Sequence, residues 1–487
     1  MITKSRALLG AATAMTLMMS LASPVSSVSS VAAAAGPAAT RLRDTLLDAQ
    51  AVYFVSFDGL VNNASFQQSG ILSHRGYQYA AWYHSDRQAT LARRRLPGGA
   101  WQQIRLPHRL TVNDSHNVIS LGISPQDGRL HVAMDTHDST IFYTKSEPGL
   151  VSSPATQSWT AARFGPIQRT FDGVDLGALT YPQFVVTPEN RLQFSYRTGR
   201  SGNGTNELAE YDAATGWRKL GIWSSATGPY TSGNGVTSAT RNMYIHGITY
   251  GPDGRLHAAF TWREGTAGVL CHPGGLTNHD TGYVYSDDRG RTWRNNAGTV
   301  VGTTGGADLV AVGDPGHVVD PLSVDHALIN QESQAVDSAG NPHVIISYVP
   351  GRFTQCVTDF TAQRKAYSRA FHLTRDATTG AWRKVEIPVP AEAFGRSRIV
   401  FDAADNAYVV LPFGRVAGAS KASGWRDWTL LFDGTFYDGG RTLAAFGEVI
   451  VDESRVASEQ VLSIMYQQKS SGTTPSALRV IDLRLGG

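Results

Sequence analysis

Three stretches decide the fold: Asp127-Gly128-Arg129-Leu130-His131-Val132, Glu189-Asn190-Arg191-Leu192-Gln193-Phe194 and Asp253-Gly254-Arg255-Leu256-His257-Ala258. Each is a turn made of residues that tolerate a left-handed backbone, followed by a strand of alternating side chains. Looser copies follow at Ala339-Gly340-Asn341-Pro342-His343-Val344 and Ala404-Asp405-Asn406-Ala407-Tyr408-Val409. With the fifth residue of each as marker, successive copies lie 62, 64, 86 and 65 residues apart. Such a step suits one four-stranded sheet per repeat, with an insertion in the long one. Strands at Tyr77–Tyr83 and at 461–466 extend the series at both ends and bring it to seven units. The pattern predicts an all-β chain folded as a seven-bladed β-propeller, with a decorated two-sheet sandwich as the fallback.

Composition agrees with that reading. The chain holds 50 Gly and 21 Pro among 487 residues, together with 18 Phe, 18 Tyr and 10 Trp. Turn formers and aromatic residues at this level suit short strands better than long helices. Trp residues recur just after turns, at Trp101, Trp217 and Trp382, and Ser286-Asp287-Asp288-Arg289-Gly290-Arg291-Thr292-Trp293 matches the Asp-box pattern S-x-D-x-G-x-T-W throughout. In that motif the carboxylate caps its own hairpin and the Trp packs between sheets, so it is read as structural.

Residues 1–35 read as an export signal: Lys4 and Arg6 open it, an apolar stretch follows, and Ala32 to Ala35 supply small residues for cleavage. Residues 36–487 are then expected to form one propeller domain, secreted and monomeric. Its 41 Lys and Arg against 40 Asp and Glu leave it near neutral, which argues against dense phosphate contacts and hence against nucleic acid. No later stretch has the ~20 apolar residues of a membrane helix, so no membrane partner is expected.

In a propeller the first strand of each blade lines the axial channel, where ligands gather. Candidate inner strands at 114–123, 181–187, 242–250, 330–336, 397–401 and 447–451 carry polar and aromatic residues where a plain core strand would be Val and Ile. His116 and His137 lie 21 residues apart, a separation that one strand, a turn and a returning strand can fold back to the same end of a blade. Tyr181 opens the next inner strand and Arg197 ends its partner, so His116, His137, Tyr181 and Arg197 are expected on one rim. The set has the chemistry for β-elimination at a uronic acid: a base for the C5 proton, a cation for the carboxylate and an acid for the leaving O4. Taken singly, each of these residues is more often structural. Asn117, Arg241, Tyr244, His246 and Gln331, with Asn330, Ser397 and Arg398 beside them, are candidate sugar contacts or else knit the propeller centre. His131, His257 and His343 occupy equivalent repeat positions and are read as structural.

The segments Asp114-Ser115-His116-Asn117, Asp135-Thr136-His137-Asp138, Leu179-Thr180-Tyr181-Pro182-Gln183-Phe184, Phe194-Ser195-Tyr196-Arg197 and 242–247 resemble those of secreted BNR-repeat propellers, the ulvan lyases and related rhamnose–glucuronate lyases. The resemblance spans the chain from about residue 50 onward. It implies a polysaccharide lyase acting on an acidic, uronate-containing polymer, with His116 and Tyr181 exchanging the proton roles, Arg197 neutralising the carboxylate and His137 in support. Which of His116 and Tyr181 is base and which acid stays open. The same scaffold also carries α-L-rhamnosidases and carbohydrate-binding propellers, which are the alternatives; sialidases need an arginine triad and are placed below them.

Cys271 and Cys356 are the only cysteines. In an exported protein they suggest one disulfide closing a long loop. The alternative is a structural zinc on Cys271, His279, Cys356 and His372, with His272 and His326 as replacements, since the resemblance implies a structural metal. No redox or nucleotide cofactor is expected.

Overall fold

A computed structural model describes residues 36–66, 69–233, 235–266, 277–353, 360–376, 378–391 and 395–486. The expected export signal, Cys271, His272 and Cys356 lie outside these residues. Strands dominate, and the described helices are the short Phe360–Tyr367 and Glu453–Glu459 with three single-turn pieces.

Antiparallel pairing sorts the described strands into seven sheets, of which at least six stand as propeller blades. Each turn-and-strand repeat forms a strand paired on both sides within its own sheet: Arg129–Met134, Leu192–Arg200, Leu256–Glu264, Pro342–Tyr348 and Ala407–Leu411, with Tyr77–Tyr83 and Val461–Gln467 completing the set. The strands that precede these repeats, among them Ile119–Ser124, Ala178–Val186 and Thr237–Tyr250, mix aliphatic residues with polar and aromatic ones, and those of successive sheets lie side by side. They approach closely: a Cβ on Gly122 would stand 2.4 Å from the Phe184 ring. The long step between His257 and His343 is taken up by extra strands, Thr292–Arg294, Val300–Thr303 and Val318–Asp320, in a single seven-stranded sheet.

The chain closes on itself. Ala39–Ala51 from the start of the described chain pairs with Ser476–Leu485 from its end, Ala39 opposite Leu485 and Ala51 opposite Ser476. The outer edge of the last sheet is thereby covered by the first strand, which removes an open edge.

The hairpin at 286–293 is closed by its own side chains. Asp288 accepts from the Thr292 backbone N–H at 2.8 Å and from its hydroxyl at 2.7 Å. Trp293 is buried against Trp223, with ring centroids 4.2 Å apart. The repeat histidines share another device. His131 meets the Tyr143 hydroxyl at 2.7 Å, His257 meets the Tyr283 hydroxyl at 2.7 Å, and His343 meets the His372 ring at 2.8 Å. Neighbouring strands are thus tied together inside three sheets, satisfying polar atoms in an apolar interior. Among the described residues no helix is long and apolar enough to cross a membrane.

Candidate active site

Local backbone chemistry places the first histidine. Asp114 makes an Asx-type turn, its Oδ1 accepting from the His116 N–H at 2.8 Å while its carbonyl accepts from Asn117 N–H at 3.2 Å. Ser115 anchors the turn to Ser56 through two hydrogen bonds of 2.6 and 2.7 Å. His137 lies in the loop after Arg129–Met134, where Asp135 and Asp138 both take positive φ (55° and 50°). Asp135 is fixed by Thr111 and His108, and the Asp138 N–H donates to Thr180 Oγ1 at 2.8 Å.

These two turns converge on one carboxylate. Asp114 Oδ1 lies 2.8 Å from His116 Nδ1, and Oδ2 lies 2.6 Å from His137 Nδ1. The imidazoles stack with centroids 4.0 Å apart and planes 19° from parallel. Burial alone would raise the Asp114 pKa, but the two histidines hold it well below the ordinary carboxylate range. An ionised Asp114 only accepts, so each Nδ1 carries a proton and each Nε2 faces away from the carboxylate. His116 has its pKa lowered to about 4 by burial, against the pull of Asp114. It is therefore neutral at pH 7.

Tyr181 sits in the neighbouring sheet at φ 63°, before Pro182 and inside a bulge between Thr180 and Gln183. A left-handed backbone at an aromatic residue is strained, and such strain concentrates at sites where a side chain must be re-aimed. Here the bulge turns the ring towards His116, 5.8 Å between centroids, with Phe66 packed against both. Burial pushes the Tyr181 phenol above its usual range, and Tyr244 adds to that.

Arg197 pairs across the strands with Thr180 and is 3% exposed. Its guanidinium donates to Thr180 Oγ1 at 3.0 Å and to the Tyr244 hydroxyl at 3.3 Å, and stands 5.0 Å from the Tyr181 ring. All of these partners are neutral groups or rings, and Arg197 has no ion pair among the described residues. A buried charge left uncompensated costs several kcal/mol, far more than a surface ion pair returns. Tyr244 is the more acidic phenol of the two: burial opposes its ionisation, but Arg197 and Arg263 outweigh burial and lower its pKa.

A cavity of about 210 Å³ opens above these groups, lined by His116, Tyr181, Phe57, Phe66, Arg263 and Arg396. A narrower recess below it reaches Arg197, Tyr244 and Gln331. Arg396 is committed to Glu448 and Asn330, whereas the Arg263 guanidinium has no hydrogen bond or ion pair among the described residues and faces the Tyr244 ring at 5.9 Å. Phe57, Phe66, Arg263 and Arg396 were not among the sequence candidates. Phe57 and Phe66 lie in irregular chain before the second sheet, and Arg396 just ahead of a strand, where no repeat marks a position. Arg263 was legible only as a cation on a repeat strand one sheet beyond Arg197.

Of the sugar-contact candidates, Tyr244 and Gln331 line the recess and Asn117 is buried in the His116 turn. Two others are corrected. Arg241 is fully buried and held bidentately by Glu264 at 2.8 and 3.1 Å, so it is a structural ion pair rather than a sugar contact. His246 is also fully buried, accepts from the Glu332 N–H at 3.1 Å and has its pKa lowered to about 3 by burial; it knits adjacent inner strands. The zinc histidines are likewise committed elsewhere. His279 bonds Asp280 and Glu264 through its two ring nitrogens, at 3.0 and 3.1 Å. His372 takes the place that tyrosine fills in the other sheets' His–Tyr pairs. As placed, these two rings do not make half of a zinc site, and the cysteines lie outside the described residues.

Residues 77–389 match the model of a family described as BNR repeat-containing family member. The chain belongs to that family. This BNR-repeat protein is 23% identical over 473 residues to an ulvan lyase, long isoform, of Alteromonas sp, covering 87% of this chain and 43% of the relative. A second ulvan lyase, long isoform, from Pseudoalteromonas sp. (strain PLSV) is 24% identical over 472 residues, with the same coverage. The chain thus spans 43% of the length of these curated relatives. Among solved structures it is similar to the polysaccharide lyase Uly1, with a TM-score of 0.68 at 18% identity over 91% of this chain and 99% of the other. A PL25 ulvan lyase bound to -[GlcA(1-4)Rha3S]- follows at TM-score 0.58 and 12% identity, covering 91% of this chain and 96% of that one. At such identities these likenesses bear on the fold of the BNR-repeat protein alone.

Proposed function

We propose that this protein is a secreted polysaccharide lyase that cleaves an acidic, uronate-containing polymer of the ulvan type by β-elimination. The observation that carries the reading is Arg197, a buried guanidinium without a carboxylate partner among the described residues, lining the recess beside Tyr181 and Tyr244. A uronate carboxylate placed there supplies the missing charge. Bidentate pairing with the guanidinium then stabilises the enolate-like intermediate as the C5 proton leaves.

The proton roles follow from the two environments. His116, neutral with its Nε2 lone pair uncovered, takes the C5 proton; Asp114 fixes its tautomer and stabilises the imidazolium that forms. Tyr181, kept protonated by burial, donates to the departing O4. Elimination balances within this set: the C5–H and C4–O4 bonds break, C4=C5 forms, the proton rests on His116 and the leaving oxygen is protonated by Tyr181. His137 shares Asp114 and holds the His116 ring from its face. Arg263, unpaired at the rim, suits a second anionic group on the polymer, such as the sulfate of a sulfated rhamnose.

We read the seven sheets as seven blades around one axis, which brings these groups to one mouth of the channel. The export signal read from residues 1–35 fits a substrate too large to enter a cell. Cys271 and Cys356 are assigned to cross-linking the enlarged unit; stability lost in chelator identifies a metal there, and stability lost in reductant a disulfide.

The test is incubation of the purified protein with ulvan and a panel of acidic polysaccharides while following ultraviolet absorbance. Elimination creates a conjugated C4=C5 bond at the new non-reducing end and absorbance rises. New reducing ends without that absorbance would replace this reading with a hydrolase, and binding without either signal would make it a lectin.

A further inference from the structure

We infer that Asp114, His116 and His137 form a binding site for one borderline transition-metal cation of the Cu²⁺, Ni²⁺ or Zn²⁺ class, seated on the rim of the same cavity. Metal-ligating imidazoles characteristically donate their other ring N–H to a carboxylate, which fixes the tautomer and raises ligand basicity. Here one carboxylate does so for two imidazoles at once, at 2.8 and 2.6 Å. One ligand-type atom from each of the three residues lies within 4.8 Å of the others, a closeness the two Nδ1–carboxylate contacts already provide.

The remaining nitrogens are suitably left over. Both Nε2 atoms lie across their rings from Asp114, and neither has a hydrogen-bond partner among the described residues. The side chains keep 12% and 26% of their exposure, so an ion can reach them from solvent. The rings are nearly parallel at 4.0 Å, so their in-plane Nε2 lone pairs run side by side, and one ion is shared only when the two rings tilt towards each other at their free edges until both nitrogens reach the ~2.0–2.1 Å of a metal–imidazole bond. Imidazole nitrogen favours Cu²⁺, Ni²⁺ and Zn²⁺ over Mg²⁺ or Ca²⁺, and the stability order places Cu²⁺ first. Solvent fills the other positions. No other described trio of His, Cys, Asp or Glu comes together in this way.

Binding rests on geometry alone. Its consequence rests on the lyase reading: an ion on His116 Nε2 occupies the lone pair that takes the C5 proton, so the cation is a reversible inhibitor.

The experiment uses the full chain, freed of metal by chelation, titrated with Cu²⁺ and read by equilibrium dialysis and electron paramagnetic resonance. The wild type is expected to bind one Cu²⁺ with nitrogen superhyperfine structure from two imidazoles. His137→Phe loses that ion and signal, with its folding checked by circular dichroism, and Asp114→Asn keeps it at an affinity about 10–100-fold weaker. Sulfur ligation in the spectrum, or equal binding by wild type and both variants, overturns the site. Should His137→Phe not fold, an unchanged affinity in Asp114→Asn is enough to overturn it. Since none of these readouts is turnover, failure of the lyase reading would leave the result intact; inhibition by Cu²⁺ reversed by chelator tests the link between the two.

Discussion

His116 stacks on His137 with ring centroids 4.0 Å apart, and His343 stacks on His372 at 5.1 Å. The pairs are chemically alike and their surroundings differ. The first shares one ionised carboxylate, keeps its Nε2 atoms free and borders a cavity beside a buried arginine. The second is fully buried against Trp425, with the rings bonded to each other and Asp337 at 3.4 Å from His343. Two imidazoles in contact therefore say little about function. A carboxylate that sets the tautomer and a path to solvent make a base of one pair, while the other is a hydrogen bond that spares a buried sheet two unpaired polar groups.

The sharpest way to break this contrast is to remove His116. His116→Ala is expected to lower kcat by about 10²–10⁴-fold, the usual scale for a general base, and Tyr181→Phe by at least about 10² through loss of the acid. Retained turnover in both, measured by the absorbance assay on folded protein, would erase the distinction between the pairs. Next comes the cation. Arg197→Gln should cost about 10²–10³ in kcat, as does loss of a donor aimed at developing negative charge. Arg241, whose charge Glu264 already matches, gives the opposite result when replaced together with it: Arg241→Met with Glu264→Leu should retain turnover.

A pH profile sharpens the comparison further. Because burial lowers His116 to about 4, the acidic limb of kcat/KM is expected near pH 4 rather than at the 6.5 of a free histidine. Loss of activity on descending through 6.5 would assign the base elsewhere. The buried pair titrates into stability instead. Burial holds His343 and His372 below the unfolded value, so the unfolded chain binds more protons and stability falls as pH drops below about 6.5.

Repetition explains what was legible beforehand. The turns at Asp127, Glu189 and Asp253 recur because every sheet needs one, so the strands could be placed from them, and His131, His257 and His343 were read as structural for the same reason. His372 was misassigned because its partner positions hold tyrosine, Tyr143 and Tyr283, and the equivalence shows only once the strands paired with the repeats are aligned. The site histidines stood out for the opposite cause: Asp114-Ser115-His116 and Asp135-Thr136-His137 have no counterpart in the other units. Arg241 was misread because charge in a strand looks alike whether or not a carboxylate waits opposite, and Glu264 lies 23 residues away in an adjacent strand. Phe57, Phe66 and Arg396 were invisible because irregular chain carries them, and only closure of the ring brings them over the mouth.

The smallest expected effect on turnover comes from His343, and it is the one that isolates the principle. His343→Gln retains a hydrogen-bonding side chain of similar length but cannot stack on His372 or fill the space against Phe401 and Trp425, whose centroids lie 4.6 Å from the imidazole. Loss of packing together with one imperfect buried hydrogen bond should destabilise the fold by about 1–3 kcal/mol, read as a lower midpoint in denaturant, while kcat stays within about twofold because no group near Asp114 moves. A large fall in kcat with an unchanged midpoint would mean that the buried pair communicates with the rim, and the separation of structural from chemical histidines by access and carboxylate would fail. The converse, a lowered midpoint with turnover intact, is what a hydrogen bond internal to one sheet requires.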